Sequence, residues 1–255
     1  MRILITGHKG FIGQNMVKAL SDHDLDLCDW GDKYSLTDVD RVIHLGAISD
    51  TRCQDWDALH KQNVRYSIDL MDECQDRRIP IQISSSASVY GLNNTTFRET
   101  DTVAPANLYA ESKVLVENHL HQMNPVSPVQ LFRYFNVYGP YESHKGDQAS
   151  PFHKFNEQAK TGTVKIFDGS DEFRRDFIHV DKVIQTHKAF FDVDESGIWN
   201  VGTGKTLSFK DVASLMSAKY SANIEYIKMP EGLQAAYQKF TCANTTKLER
   251  SLVKS

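Results

Sequence analysis

The sequence has few of the features that would associate it with a membrane, an oxidising compartment or a metal. Its 255 residues contain no apolar run near the roughly 18–20 residues that span a bilayer. The four cysteines (Cys28, Cys53, Cys74 and Cys242) form no CxxC pair and no cluster with histidine, which predicts free thiols and no structural metal. A glycine motif begins at Gly7, too early to leave room for a signal peptide, so we expect a cytoplasmic protein.

The chain also lacks an excess of charge of one sign. Lysine and arginine number 29 against 33 acidic residues, and the formal net charge of -4 gives no electrostatic reason to bind nucleic acid or an anionic membrane. Apolar residues make up 40% and charged residues 24%, as in soluble globular proteins. The length suits one large domain, or a main domain with a smaller lobe.

Short apolar runs alternate with helical periodicity along the first half of the chain. The pattern predicts strands near 3–5, 25–29, 41–45, 79–83 and 128–133, and helices near 11–20, 56–77 and 107–122. Such alternation is typical of an α/β fold whose parallel sheet is covered on both faces. Only about a dozen residues separate the second and third strands, so this corner of the sheet is expected to be shortened.

The pattern loosens after Gly139-Pro140, which indicates a second, smaller unit. We predict that residues 1–137 together with about 176–202 form a dinucleotide-binding domain. Residues 138–175 together with 203–255 would form a small substrate-binding lobe.

Gly7, Gly10 and Gly13 form a GxxGxxG motif between the first strand and the first helix. In that position glycine allows a tight turn, close approach of a pyrophosphate to the backbone, and close packing of helix on strand. The motif therefore predicts a site for NAD or NADP. Asp29 could accept hydrogen bonds from a ribose 2′-hydroxyl, which slightly favours NAD, although it could equally be a solvated turn residue; Lys9 would instead attract the 2′-phosphate of NADP.

Two YxxxK pairs are present, Tyr109/Lys113 and Tyr141/Lys145. The first lies in a predicted helix, where residues i and i+4 share a face, whereas the second follows a predicted loop. Transfer of hydride from a sugar alcohol to nicotinamide requires a base for the hydroxyl proton, and a nearby lysine cation lowers the pKa of a tyrosine. Tyr109 is therefore the candidate acid/base, and Ser86 could orient the same hydroxyl.

These residues together resemble the extended short-chain dehydrogenase/reductase family, which contains nucleotide-sugar epimerases and dehydratases. The resemblance spans nearly the whole chain and is carried by segments 6–13, 44–47, 84–91, 109–113, 133–140 and 175–180. It implies a Rossmann-type parallel sheet, a small α+β substrate lobe, a bound NAD(P), a nucleotide-diphosphate sugar as substrate and a homo-oligomer. Within the family, segments 144–146, 167–170 and 237–241 are most similar to the ADP-heptose 6-epimerases.

The resemblance also implies a role for individual residues. The catalytic residues would be Ser86, Tyr109, Lys113 and Lys145, with Lys145 as a second acid/base at the opposite side of the sugar. The cofactor contacts would be Gly7, Gly10, Phe11, Ile12, Gly13, Asp29, Leu45, Gly46, Ala47, Ser49, Asn63, Lys113 and Val137. The substrate contacts would be Ser86, Asn136, His153, Phe167, Asp168, Gly169, Ser170, Arg175 and Tyr237.

Other reactions of the family fit the sequence less well. A 4,6-dehydratase would carry an acidic residue beside its catalytic hydroxyl, and Ser86-Ala87-Ser88 has none. A reductase of the GDP-fucose-synthase type would carry a cysteine in this segment, which is also missing. A 4-epimerase or another type of reductase acting on another nucleotide sugar, and a catalytically silent NAD(P)-binding protein, remain as alternatives.

Overall fold

The computed structural model describes residues 1–230 and 238–253. The strands are β1 (Arg2–Thr6), β2 (Asp24–Cys28), β3 (Arg41–His44), β4 (Ile81–Ser86), β5 (Thr95–Phe97), β6 (Val129–Tyr134), β7 (Asn136–Tyr138), β8 (Thr163–Phe167), β9 (Arg174–Arg175), β10 (Phe177–His179), β11 (Gly197–Val201), β12 (Leu207–Ser208), β13 (Asn223–Ile227) and β14 (Phe240–Ala243). The α-helices are α1 (Phe11–Ala19), α2 (Trp56–Leu59), α3 (Tyr66–Asp76), α4 (Leu108–Gln122), α5 (Pro151–Lys160), α6 (Val180–Ala189), α7 (Phe209–Tyr220) and α8 (Thr246–Val253).

Six strands form the main sheet in the order β2-β1-β3-β4-β6-β11, and every neighbouring pair is parallel. Successive side chains of a strand point to opposite faces. Leu4 accordingly packs in a core cluster with residues of α3 and α4, whereas Ile3 and Ile5 pack with residues of α1 and α6. Helices therefore cover both faces, and the predicted Rossmann-type α/β fold is confirmed.

The helical stretch predicted at 56–77 is confirmed from Trp56 to Asp76, although its middle part is not α-helical. A π-helical turn, His60–Arg65, separates α2 from α3. The strand predicted from residue 79 begins only at Ile81, because the N–H of Ile79 donates to the Cys74 carbonyl (2.8 Å) and so still belongs to the end of α3. The shortened corner is confirmed, since residues 29–40 contain neither a helix nor a strand.

Shorter sheets lie beside the main one. Strands β8 and β13 pair in parallel, and apolar residues of α5 and α7 pack with β8 in a separate cluster. A four-stranded sheet has the order β12-β9-β14-β5, so it joins strands from four distant parts of the chain. The division into two domains at the predicted boundaries stays a prediction.

None of the helices described here is both long and apolar enough to cross a bilayer.

Candidate active site

A continuous cleft runs along the edge of the main sheet where its strands end. Parallel strands place their carboxyl ends at one edge, and ligands of open α/β sheets bind there. Gly7 follows β1, Leu45 follows β3, Ser86 ends β4 and Tyr134 ends β6, and all four residues line the cleft. The cleft extends from Asp29 at one end to Arg175 at the other.

The glycine motif forms one end of the cleft. Gly7 has a φ of +71°, and a Cβ added to it would lie 2.5 Å from the backbone of Gly46. A Cβ on Gly13 would lie 2.1 Å from the Gly7 carbonyl oxygen. Gly10 is the N-cap residue of α1 and has no side chain to bond the free N–H groups there. The first turn of α1 carries no acidic residue. The unpaired N–H groups and positive end of α1 therefore suit an anionic pyrophosphate, and the residues present fit a dinucleotide.

The two residues that favour different cofactors lie next to each other. Lys9 Nζ is 3.5 Å from the Asp29 carboxylate, and Asp29 lines the cleft together with Trp30. The Trp30 ring packs edge-on against Tyr66, with the centroids 5.5 Å apart. A 2′-phosphate would have to compete with Asp29 for Lys9, whereas a 2′-hydroxyl would meet a carboxylate that accepts its hydrogen bond.

The segment 45–49, which contains four of the predicted cofactor contacts, is held from behind by Asn63. The Asn63 side chain accepts from the Ile48 N–H (2.8 Å), and its Nδ2 donates to the Ile48 carbonyl (3.0 Å) and to Ser112 Oγ (3.1 Å). Leu45, Ala47 and the neighbouring residues line the cleft, whereas Asn63 is completely buried in the π-helical turn. In this structure Asn63 therefore positions the segment, and its predicted contact with cofactor stays a prediction.

Tyr109 and Lys113 lie one turn apart on α4, which starts at the N-cap Asn107. Lys113 Nζ is 5.9 Å from the centroid of the Tyr109 ring and donates to the Ser84 carbonyl (2.9 Å). Tyr109 is only 9% exposed and faces the cleft beside Ser86. Three residues from two elements, β4 and α4, are thus brought together as predicted.

Burial has the largest effect on the pKa values of Tyr109 and Lys113. It raises the pKa of Tyr109 above its usual value, and the hydrogen bond with the Ser86 hydroxyl opposes that shift. Burial also lowers the pKa of Lys113 to about 8. The cation of Lys113 favours the phenolate of Tyr109, as the sequence predicts, but desolvation is the larger effect and disfavours it.

A buried ion pair fixes α4 on the sheet. Arg133 of β6 donates from Nε and Nη2 to the two carboxylate oxygens of Glu117, at 2.9 and 2.7 Å. Ser85 donates to the same carboxylate (2.6 Å). Glu117 lies two turns after Tyr109, so these bonds hold the helix in a fixed rotation relative to β4 and β6.

The second candidate acid/base, Lys145, lies in a 3₁₀ turn, Ser143–Gln148, opposite the glycine motif. Its Nζ is 5.2 Å from the centroid of the Phe11 ring, and burial lowers its pKa. Lys145 lines the same part of the cleft as Tyr109. The structure therefore brings both candidate acid/base groups to one cleft. The Tyr141/Lys145 pair does not lie in an α-helix, unlike Tyr109/Lys113.

Three of the predicted contacts, Asn136, Val137 and Arg175, line the same end of the cleft. Asn136 Nδ2 donates to the Asp176 carbonyl (3.1 Å), and Arg175 donates to the carbonyls of Arg174 and Gln238. The carboxylate of Asp176 accepts backbone N–H bonds from Thr203, Gly204 and Ala243. Asp176 therefore serves to join the short strands around Arg175.

The remaining predicted substrate contacts lie elsewhere or outside the description. His153 is on α5, where its N–H donates to Ser150 Oγ, and it is not among the residues that line the cleft. Phe167 ends β8 and residues 168–170 form the turn that follows, and all four lie outside that lining. Tyr237 falls within 231–237, beyond the described residues. The substrate roles of all these residues stay predictions.

Sequence reasoning missed Tyr134, which lines the same part of the cleft as Tyr109 and Lys145. Its hydroxyl hydrogen-bonds with His187 Nε2 (2.6 Å), and burial raises its pKa. A signal was present, because Tyr134 directly follows the strand predicted at 128–133, at the edge of the sheet where ligands bind. Within residues 1–230 and 238–253, no group of three His, Cys, Asp or Glu side chains is placed to hold a metal.

Comparison with known proteins gives one family and many similar folds. The sequence pattern of the NAD dependent epimerase/dehydratase family matches residues 3–202. The ADP-L-glycero-D-manno-heptose-6-epimerase of Helicobacter pylori is 23% identical, with a TM-score of 0.86 over 99% of this chain and 90% of that chain. The UDP-N-acetylglucosamine 4-epimerase of Methanobrevibacter ruminantium is also 23% identical, with a TM-score of 0.86 over 98% and 91%. The UDP-glucuronic acid 4-epimerase of Bacillus cereus, solved with NAD, is 23% identical, with a TM-score of 0.81 over 100% and 93%.

Proposed function

The chain belongs to the NAD-dependent epimerase/dehydratase family, and we propose that within it the protein is a nucleotide-sugar epimerase, most like the ADP-heptose 6-epimerases. One observation carries the proposal: Tyr109 and Lys145, from different elements, both line the cleft that continues from the glycine motif. An epimerase that removes and returns hydride on opposite faces needs a proton acceptor or donor for each orientation of the sugar.

The cofactor supplies a reversible hydride acceptor when it is bound. Gly7, Gly10 and Gly13 would hold its pyrophosphate at the start of α1, and Asp29 would accept from its ribose, which favours NAD over NADP. Lys113, which is mostly buried but lines the cleft, would contact the second ribose. Because hydride returns to the sugar, cofactor is not consumed, and we expect it to stay bound between turnovers.

The side chains of the cleft divide the proton chemistry between them. Ser86 orients a sugar hydroxyl, and Tyr109 takes its proton as hydride leaves. The pKa of Tyr109 is raised by burial, so the phenolate needs a positive charge close to the ring. Lys113 provides one such charge from one turn away. After the oxidised sugar has turned, Lys145 donates a proton to the carbonyl oxygen as hydride returns to the other face. Tyr109 then releases its proton and Lys145 regains one by exchange with solvent before the next turnover.

A 4-epimerase of a UDP-sugar is the second candidate. It would use the same serine, tyrosine and lysine, and the fold likeness to a UDP-sugar 4-epimerase is as high as that to the heptose epimerase. In a 4-epimerase the tyrosine would serve both faces of the sugar, so no second acid/base would be needed. The presence of Lys145 in the cleft therefore favours the 6-epimerase. Arg175 suits the diphosphate of either substrate, since a guanidinium binds phosphate bidentately. We further propose that the protein is a homo-oligomer.

The deciding experiment is proton NMR of ADP-D-glycero-D-manno-heptose with purified protein and no added cofactor. We expect a mixture of the two C6 epimers, which would support both the reaction and a retained cofactor. Conversion of UDP-glucose to UDP-galactose, with the heptose unchanged, would favour the second candidate. No conversion of either substrate after addition of NAD or NADP, together with measurable NAD binding, would favour a catalytically silent binding protein and overturn the proposal.

A further inference from the structure

We propose that Glu142 is the positioning residue for Lys145: its buried carboxylate closes the loop that carries this lysine and holds the ammonium group in the cleft. The inference rests on the proposed function only for the consequence of misplacing Lys145. The contacts themselves lie within residues 139–150, where none of the sequence motifs assigns a role to Glu142.

The Glu142 carboxylate joins the two ends of this loop. Oε1 accepts from the Gly139 N–H (2.9 Å) and from Ser150 Oγ (2.8 Å), and Oε2 accepts from the Ser150 N–H (2.7 Å). Glu142 is 1% exposed, although it is charged and lies in a loop. Acidic residues are almost never fully buried unless they are paired, so burial of this carboxylate indicates a specific role.

The same residue also reaches Lys145 through the backbone. The Lys145 N–H donates to the Glu142 carbonyl (2.9 Å), which starts the 3₁₀ turn. Gly146 follows with a φ of +49°, and the Ala149 N–H returns to the Gly146 carbonyl (3.0 Å). The loop is thus folded around Glu142 from both sides, and the direction of the Lys145 side chain depends on that fold.

Charge adds to the geometry. Burial lowers the pKa of Lys145, and the Glu142 carboxylate is the charged group that opposes this shift. Tyr109 and His144 line the same part of the cleft, and the Phe11 ring lies across from the ammonium group. With Glu142 in place, Lys145 keeps more of its proton at neutral pH than burial alone would allow.

Two substitutions separate the reach of Glu142 from its charge. Glu142→Gln keeps the length but removes the charge and turns one acceptor into a donor, which must then face an N–H group. Glu142→Asp keeps the charge but is one methylene too short to bridge Gly139 and Ser150. Glu172→Gln is the matched control, because Glu172 forms an exposed ion pair with Lys239 (3.1 Å) away from this loop.

The experiment measures the reactivity of the Lys145 amine towards an acylating reagent as a function of pH. The intact protein is labelled and then digested, and mass spectrometry gives the fraction of Lys145 that has reacted. For Glu142→Gln we expect the Lys145 profile to move down by about one pH unit, with NAD affinity unchanged and epimerisation slowed about tenfold. For Glu142→Asp we expect a smaller shift of the profile and a similar loss of rate. Ser150→Ala, which removes one bond to Glu142, serves if Glu142→Gln does not fold, and should slow the reaction by less.

The outcomes distinguish this proposal from the proposed function. An unchanged Lys145 profile and rate in folded Glu142→Gln, or in Ser150→Ala if that variant is used, would overturn the role of Glu142. A shifted profile in a protein that epimerises none of the substrates tested would support the positioning role and overturn the function proposed above. A shift that appears equally in Glu172→Gln would be a general charge effect, and would also overturn the proposal.

Discussion

The two ends of the cleft are built from very different lengths of sequence. The cofactor end is formed where the first three strands of the chain end. Gly7, Asp29 and Leu45 directly follow β1, β2 and β3. The other end combines β4, the loop 139–150, β9 and β14, and it uses a mixed sheet whose strands come from residues 95 to 243. The first end is therefore a local property of the β-α units, whereas the second depends on long-range pairing.

This difference affects how each end tolerates change. Gly7 approaches the backbone of Gly46, and Gly13 that of Gly7, so closely that a Cβ on Gly7 or Gly13 would overlap backbone atoms. The other end, where we propose that the substrate binds, is the substrate end. It is held instead by polar side chains that bridge segments, such as Asp176 and Glu142. We therefore expect substitutions at the cofactor end to act through packing, and those at the substrate end to act through chemistry and orientation.

The largest effect is expected from Tyr109→Phe, which removes the candidate acid/base but keeps the ring. Epimerisation should slow by roughly 10²–10⁴-fold, because proton transfer by a positioned side chain contributes about that much, while NAD binding and stability stay close to those of the parent. Tyr141→Phe is the control, since Tyr141 belongs to the other YxxxK pair and is 44% exposed in a loop. Equal rates for Tyr109→Phe and the parent would overturn the assignment of Tyr109.

Gly13→Ala tests the packing at the cofactor end. The new methyl group would lie 2.1 Å from the Gly7 carbonyl oxygen and 2.8 Å from His8 Cα, and both are backbone atoms that cannot move aside. We expect a loss of roughly 1–3 kcal/mol in the free energy of unfolding and at least tenfold weaker NAD binding. Urea denaturation and fluorescence titration measure both quantities. In Gly10→Ala the nearest atom is 3.2 Å away, so its loss should be smaller; the reverse order would contradict this account of the motif.

The same contrast explains what sequence reasoning could predict. The order of strands and helices, the glycine motif and the Tyr109/Lys113 pair follow from spacings within one element or one β-α unit. The π-helical turn does not follow from them, and neither does the position of Asn63 behind the cleft, which depends on hydrogen bonds to the backbone of Ile48. The raised pKa of Tyr109 does not follow from the sequence either, since the degree of burial is a property of the packed structure.

The stability of the protein at acidic pH should depend on two buried histidines, His44 and His187. Burial lowers the pKa of His44 and of His187 to about 3, so both are neutral in the native protein. Below pH 6.5 the unfolded chain binds protons that the native protein does not, and stability falls by about 1.4 kcal/mol per pH unit for each histidine. Urea denaturation at pH 6.0 and 5.0 should show this slope, and His187→Asn should halve it. His60 is exposed, and His60→Asn should leave the slope unchanged; an unaltered slope in His187→Asn would contradict the assignment.

The smallest effect is expected for the choice of cofactor, because Asp29 and Lys9 oppose each other within 3.5 Å. Asp29→Asn removes the acceptor charge for a 2′-hydroxyl and releases Lys9 to attract a 2′-phosphate. NAD should bind several-fold more weakly and NADP several-fold more tightly, as measured by calorimetry, with a combined change of preference near tenfold. Asp38→Asn makes the same change of charge at an exposed position whose φ of +58° asparagine tolerates. If both variants shift the preference equally, net charge rather than Asp29 sets it, and the cofactor end would then be less local than its motif implies.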